Sequence, residues 1–169
     1  MTTAPPTPRP PVQGRRPHPP QAAVREGIGV LVDGGRLGEY RASYGRTLVC
    51  GFARIGGTAV GIVANQRLRF KPEGGAPFQF GGVIYADSAD KAARFVLDCN
   101  QSRVPLLFLH DVNGFDVGRD AARSGIIRRR ANLVNAVRTL VVPRTTLLLG
   151  PSSGATHSPL SRARFSPPL

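Results

Sequence analysis

Hydrophobic and polar positions alternate in a readable order through the middle of the chain. Val24 to Val32 carries apolar residues at helical spacing and predicts a short helix, weakened by Gly27 and Gly29. Asp33-Gly34-Gly35 supplies the turn that ends it, and Leu37 to Tyr44 reads as a connection. Thr47 to Ile55 and Thr58 to Ala64 are β-rich runs split by Gly56-Gly57, which predicts a hairpin. Gln66 to Gly82 reads as loop. Asp87 or Ser88 can cap a helix running to Gln101, with Ala92, Phe95, Val96 and Cys99 on one face. Val104 to Leu109 is almost continuously apolar, the pattern of a strand buried on both faces. A turn over 113–118 follows. A second long helix is expected over Ser124 to Leu140, with Ile126, Ile127, Leu133, Val134 and Val137 as its apolar stripe. Thr145 to Leu149 predicts another buried strand, which runs into a turn bearing Gly150 and Gly154. The order β-β-α-β-α-β belongs to an α/β layer rather than a bundle or a sandwich.

The ends read differently. Half of the 16 prolines lie between Pro5 and Pro20, so residues 1–23 are expected to be a disordered Pro/Arg-rich tail. Residues 156–169 are expected to be irregular. The formal net charge is +13, and apart from Lys71 and Lys91 every basic residue is arginine. The arginines are scattered and show no aromatic interleaving of the kind that stacks bases. That argues against specific nucleic-acid recognition and leaves a general attraction for polyanions, the phosphates of coenzyme A among them. Cys50 and Cys99 sit inside apolar runs and read as small buried hydrophobes, with no CxxC and no Cys/His cluster to suggest a disulfide or a metal site. This fits a reducing cytoplasm. No apolar run approaches the ~18 residues of a membrane span, and no hydrophobic signal-peptide core is present at the N-terminus.

Ligands of α/β layers bind beyond the C-terminal ends of the parallel strands. Two Gly-bearing turns are expected there, one after Val104 to Leu109 and one after Thr145 to Leu149. Gly lets backbone N–H groups approach a ligand, and two such turns side by side can hold a developing oxyanion. The same glycines would serve equally well for tight turning alone. Other chemistry lacks support. His110 and Asp111 are neighbours whose side chains on a strand would point to opposite faces, so they cannot form a dyad. Ser152 and Ser153 have no evident base, and Gly150 to Ala155 lacks the lysine of a phosphate-binding loop. Any reaction here must lean on backbone dipoles and a cofactor.

Several blocks of the chain resemble one family, in order. RTLVCGFARI at 46–55 resembles the strand that opens the C-terminal domain of biotin-dependent acyl-CoA carboxylase carboxyltransferases, the propionyl-CoA and methylcrotonyl-CoA carboxylase β subunits among them. VGIVAN at 60–65 is similar to the next strand, and ADSADKAARFVLDCNQ at 86–101 to the helix after it. VPLLFLHDVNGF at 104–115, with Val117 and Gly118, is similar to the family's most recognisable block. SGII at 124–127 and NLVNAV at 132–137 continue it. The resemblance implies a crotonase-like α/β fold of ββα units, present as an incomplete single domain over 24–155. It implies transfer of a carboxyl group from carboxybiotin, borne on a carrier protein, to the α-carbon of an acyl-CoA, with no metal. It also implies, as partners, acyl-CoA, the biotin carboxyl carrier protein, the biotin carboxylase subunit and further copies of the chain in a homo-oligomer. One pair of backbone N–H groups would steady the biotin urea oxygen, and a pair from another domain the thioester enolate. By resemblance the biotin-side donors fall at Gly154, Ala155 and Thr156, and Phe115, Val117 and Gly118 line the same pocket.

The chain departs from the family at three places. Pro151, Ser153 and Thr156 stand where the family has Gly, an aromatic residue and Gly, which removes a donor and restricts the turn. Arg128 to Arg130 replaces a small, Gly/Ala-bearing helix start. The family's acyl-CoA-binding domain has no counterpart in these residues. These departures lead to the expectation of a truncated or decayed reading frame, inactive by itself. A biotin-dependent decarboxylase component, a non-catalytic remnant and a basic nucleic-acid-binding protein remain as alternative readings.

Overall fold

The computed structural model describes residues 24–71, 78–116 and 125–149. The hairpin forms as its pattern predicts, with β2 (Leu48–Ile55) and β3 (Thr58–Asn65) antiparallel from Leu48 opposite Asn65 to Ile55 opposite Thr58. Gly56 and Gly57 both take positive φ, 57° and 79°, as a two-residue hairpin turn demands. The turn is also held from outside. The Asp33 carboxylate accepts the N–H groups of Gly56 and Gly57 at 3.0 and 2.7 Å, and these two bonds hold its pKa below the usual carboxylate range. Asp33 lies in a single 3₁₀ turn, Asp33–Gly35, that follows α1 (Val24–Leu31).

Beyond the hairpin the sheet becomes parallel. β5 (Leu106–His110) pairs with β3, and β7 (Arg144–Leu148) pairs with β5. The two-residue strand β1 (Gly38–Glu39) borders β2, giving the order β1-β2-β3-β5-β7. Period-2 alternation then sorts the side chains onto two faces. Leu48, Cys50, Val63, Leu106 and Phe108 pack with Phe95, Val96 and Cys99 of α2 (Ala86–Gln101) and with Leu133 and Val137 of α3 (Ile126–Arg138). Val49, Ile62, Ala64 and Leu109 pack on the other face against Ile28 and Val32 at α1.

Several expected boundaries shift, each for a local reason. α2 starts at Ala86, and Ser88 serves inside its first turn, where its hydroxyl accepts the Tyr85 N–H at 2.9 Å. β5 starts at Leu106, after Pro105, which has no N–H to give the ladder. The expected loop from Gln66 to Gly82 contains a bridge between Phe70 and Gln79. It leads into β4 (Val83–Ile84), which pairs in parallel with β6 (Gly114–Phe115) inside the expected turn. The stripe of α3 is Ile126, Leu133, Ala136 and Val137; Ile127 lies about 100° round the helix from Ile126 and is 73% exposed. The buried strand expected over Thr145 to Leu149 is corrected more substantially. Among the described residues β7 is the edge strand of the sheet, and Thr145, Leu147 and Leu148 are exposed while Arg144 and Thr146 are half-buried. The tails expected over 1–23 and 156–169 lie outside the described residues.

Candidate active site

The C-terminal ends of β3, β5 and β7 lie side by side, because all three run in the same direction. At this edge the sequence turns from apolar to polar: Asn65-Gln66-Arg67 at the end of β3, and His110-Asp111 at the end of β5. His110 and Asp111 point apart, as strand geometry requires. His110 is buried and its ring meets Phe108 edge-on, with centroids 6.3 Å apart. Asp111 turns the other way and accepts both Nε and Nη2 of Arg67 in a bidentate ion pair. Its own N–H donates to Oδ1 of Asn65 at 3.3 Å. The hydrogen bonding that Arg67 donates to Asp111 is the first cause that raises the Arg67 pKa above its ordinary value.

This pair is roofed by the loop that follows β3. A Cβ on Gly81 would collide with the backbone of Arg67, so only glycine allows the loop to cross there. Gly82 takes φ 79°; its N–H donates to Gln66 O at 2.9 Å and its carbonyl accepts the Asn113 N–H at 2.7 Å. The loop therefore stitches the exit of β3 to the exit of β5. The ribbon of β4 and β6 continues the seam, and the Asp116 N–H donates to Ile84 O at 2.9 Å. Phe115 sits on this ribbon, half-buried against the larger core, with the Arg130 guanidinium 4.6 Å from its ring centroid. From the neighbouring strand, the Leu149 N–H donates to His110 O at 2.8 Å, so β7 ends at the same edge as β5.

Of the residues singled out from the sequence, Phe115 lies at this edge. Val117, Gly118, Gly154, Ala155 and Thr156 lie outside the described residues. Asn65, Gln66, Arg67 and Gly81 emerge from the structure as the frame beneath the Phe115 turn. The only local signal for them was the abrupt change to polar residues at the end of an apolar strand. Among the described residues, no group of three or more His, Cys, Asp and Glu could hold a metal ion, and no helix is long and apolar enough to cross a membrane.

The chain as a whole is similar to known proteins. The sequence matches the carboxyl transferase domain family over residues 1–167. It is 39% identical over 144 residues to a mitochondrial methylcrotonoyl-CoA carboxylase beta chain of Dictyostelium discoideum, covering 85% of this chain and 22% of that one. It is 39% identical over 144 residues to a biotin-dependent 3-methylcrotonyl-coenzyme A carboxylase beta1 subunit of Mycobacterium tuberculosis, covering 85% and 24%. Its structure superposes on transcarboxylase 12S, solved as a hexamer with hydrolysed methylmalonyl-coenzyme A bound, with TM-score 0.65 and 37% identity over 76% of this chain and 23% of that one. The chain thus spans about a quarter or less of the length of the relatives it matches.

Proposed function

This chain belongs to the carboxyl transferase domain family, and from that membership we propose that residues 24–155 form part of the carboxybiotin-receiving domain of an acyl-CoA carboxylase. Its fold is the crotonase-like α/β layer of carboxyltransferase beta subunits. The observation that carries the reading is the shared edge. β5 and β7 are parallel neighbours that end at one edge, where the bond from Leu149 N–H to His110 O continues their pairing. On this reading the N–H groups at Gly154, Ala155 and Thr156 hold the urea oxygen of biotin. Phe115, Val117 and Gly118 line the pocket, and the Arg130 guanidinium over the Phe115 ring brings a positive charge to its wall. Bound carboxybiotin would supply the carboxyl group. The chain's own contribution is to orient the cofactor and to place fixed dipoles where negative charge develops, which requires no side-chain acid or base.

An acyl-CoA, a biotin carboxyl carrier protein, a biotin carboxylase subunit and other copies of the chain are the partners this reading proposes. The buried thiols of Cys50 and Cys99 suit the reducing cytoplasm it assumes. The test combines the purified chain with biotin and malonyl-CoA or methylmalonyl-CoA, with and without a separately expressed acyl-CoA-binding domain of a carboxyltransferase. Carboxyl exchange or decarboxylation is then followed. No turnover is expected from the chain alone. Turnover is expected with the added domain once Pro151→Gly and Thr156→Gly restore the turn, and Gly154→Pro should abolish it. Silence in every combination would overturn the functional reading.

A further inference from the structure

Beneath the edge lies a small cavity of about 10 Å³, lined by Leu48, Val63, Ile84, Phe108 and their neighbours, with Asn65 and His110 among its walls. All but these two walls are apolar. Asn65 is 4% exposed, and its Nδ2 has no protein acceptor within hydrogen-bonding distance. The orientation of the amide is set from the other side, because Oδ1 must face the Asp111 N–H that it accepts at 3.3 Å. The donating nitrogen is therefore turned away from Asp111 with no partner for its hydrogens.

A cavity of this volume has room for about one water molecule. Apolar cavities stay dry, whereas a buried donor with space beside it recruits water, because leaving an N–H unpaired costs more than immobilising one solvent molecule. We propose that this cavity is a binding site for a single internal water that accepts a hydrogen bond from Asn65 Nδ2 and contacts the His110 imidazole. The water completes a chain of contacts from the core to the surface: water, Asn65 amide, Asp111 backbone, and the Asp111–Arg67 ion pair. Asn65 is then a positioning residue for the exit of β5, from which the Phe115 turn extends. This inference stands whether or not the chain takes part in carboxyl transfer.

The test is made first on the unaltered chain, by magnetisation transfer from solvent to the Asn65 side-chain amide and by a high-resolution crystal structure. A long-lived water within 3.5 Å of Nδ2 is expected. A dry cavity, or an Asn65 amide that exchanges magnetisation with no bound water, overturns the proposal. Ala92→Ser then offers a hydroxyl from a lining residue, and it should displace the water while leaving the Asp111 amide as protected from hydrogen exchange as before. Asn65→Leu should remove the water and speed Asp111 exchange about tenfold. If both variants retain the water, the proposal fails.

Discussion

At the scale of single residues the close packing of the sheet against α2 has sharp consequences. A Cβ on Gly61 would stand 2.6 Å from Cys99 Sγ and 3.1 Å from Leu106 Cδ2, so β3 and α2 can approach only because position 61 has no side chain. Gly61→Ala should lower stability by about 1–3 kcal/mol. Adding Cys99→Ala, which removes the nearest atom, should recover part of the loss, so a denaturant double-mutant cycle should show coupling rather than additivity. Lys91 gives a second case. It is fully buried in α2, its Nζ donates to Leu48 O at 3.0 Å, and the Glu39 carboxylate, already held by Arg25, stands 4.0 Å away. Burial is the main cause that pulls its pKa below 10.5, with Cys50 and Glu39 pulling the other way. A lysine with a depressed folded pKa binds fewer protons folded than unfolded, so its contribution to stability rises with pH up to about 10.5. Cys50 and Cys99 act in the opposite sense. Burial pushes both thiols up to about 12, so folding loses their contribution as pH climbs from about 9. The lysine effect is therefore read as a difference. As pH rises toward 10.5 the native chain should gain stability relative to Lys91→Met in parallel chemical denaturation curves. Parallel pH profiles for the two proteins would refute the assignment.

At the scale of elements, the long ones were legible and the two-residue ones were not. The hairpin, α2, β5 and α3 follow from apolar periodicity over 5 to 16 residues. β1, β4 and β6 have two residues each, too few to show a period, and exist because neighbouring backbone presents partners. Asn65 and Arg67 were unreadable for the same reason: their roles depend on Asp111 and Gly81, which are distant in sequence. β7 shows a different limit. Its Thr-Thr-Leu-Leu pattern states β preference but not which faces are covered. The structure leaves Leu147 and Leu148 exposed by 44% and 52%, and Leu149 after them by 43%. At the edge of the described sheet these exposed leucines, with Pro143 and Arg144 confined to the other end of the strand, are a template for further pairing. The chain should therefore self-associate at tens of micromolar, and Leu148→Lys should shift it toward monomer in sedimentation velocity without changing its helical circular dichroism. A monomeric parent at those concentrations would contradict this.

At the scale of the whole molecule the question is what the charge of +13 does. The sequence shows no basic stretch interleaved with aromatics, yet the fold brings the two kinds of residue together. Arg46 lies 4.5 Å from the Phe70 ring centroid, Arg130 4.6 Å from Phe115, Arg69 5.3 Å from Phe80 and Arg41 5.3 Å from Tyr40. Such an arrangement could be mistaken for a base-stacking surface. In each pair, however, the guanidinium already lies over the ring face that a base would need, and both partners come from this chain. Arg25, Arg67, Lys91 and Arg94 are further tied to carboxylates. The remaining charge is diffuse, so its attraction should be for polyanions as a class. Fluorescence anisotropy with unrelated duplexes should give affinities that agree within about threefold and fall linearly on a logarithmic salt axis, becoming negligible near about 0.2 M. Heparin of similar charge density should compete as well as DNA. A preference of about 10³ or more for one sequence, persisting at that salt, would require base readout that diffuse charge cannot supply. It would restore the nucleic-acid reading against the carboxyltransferase one.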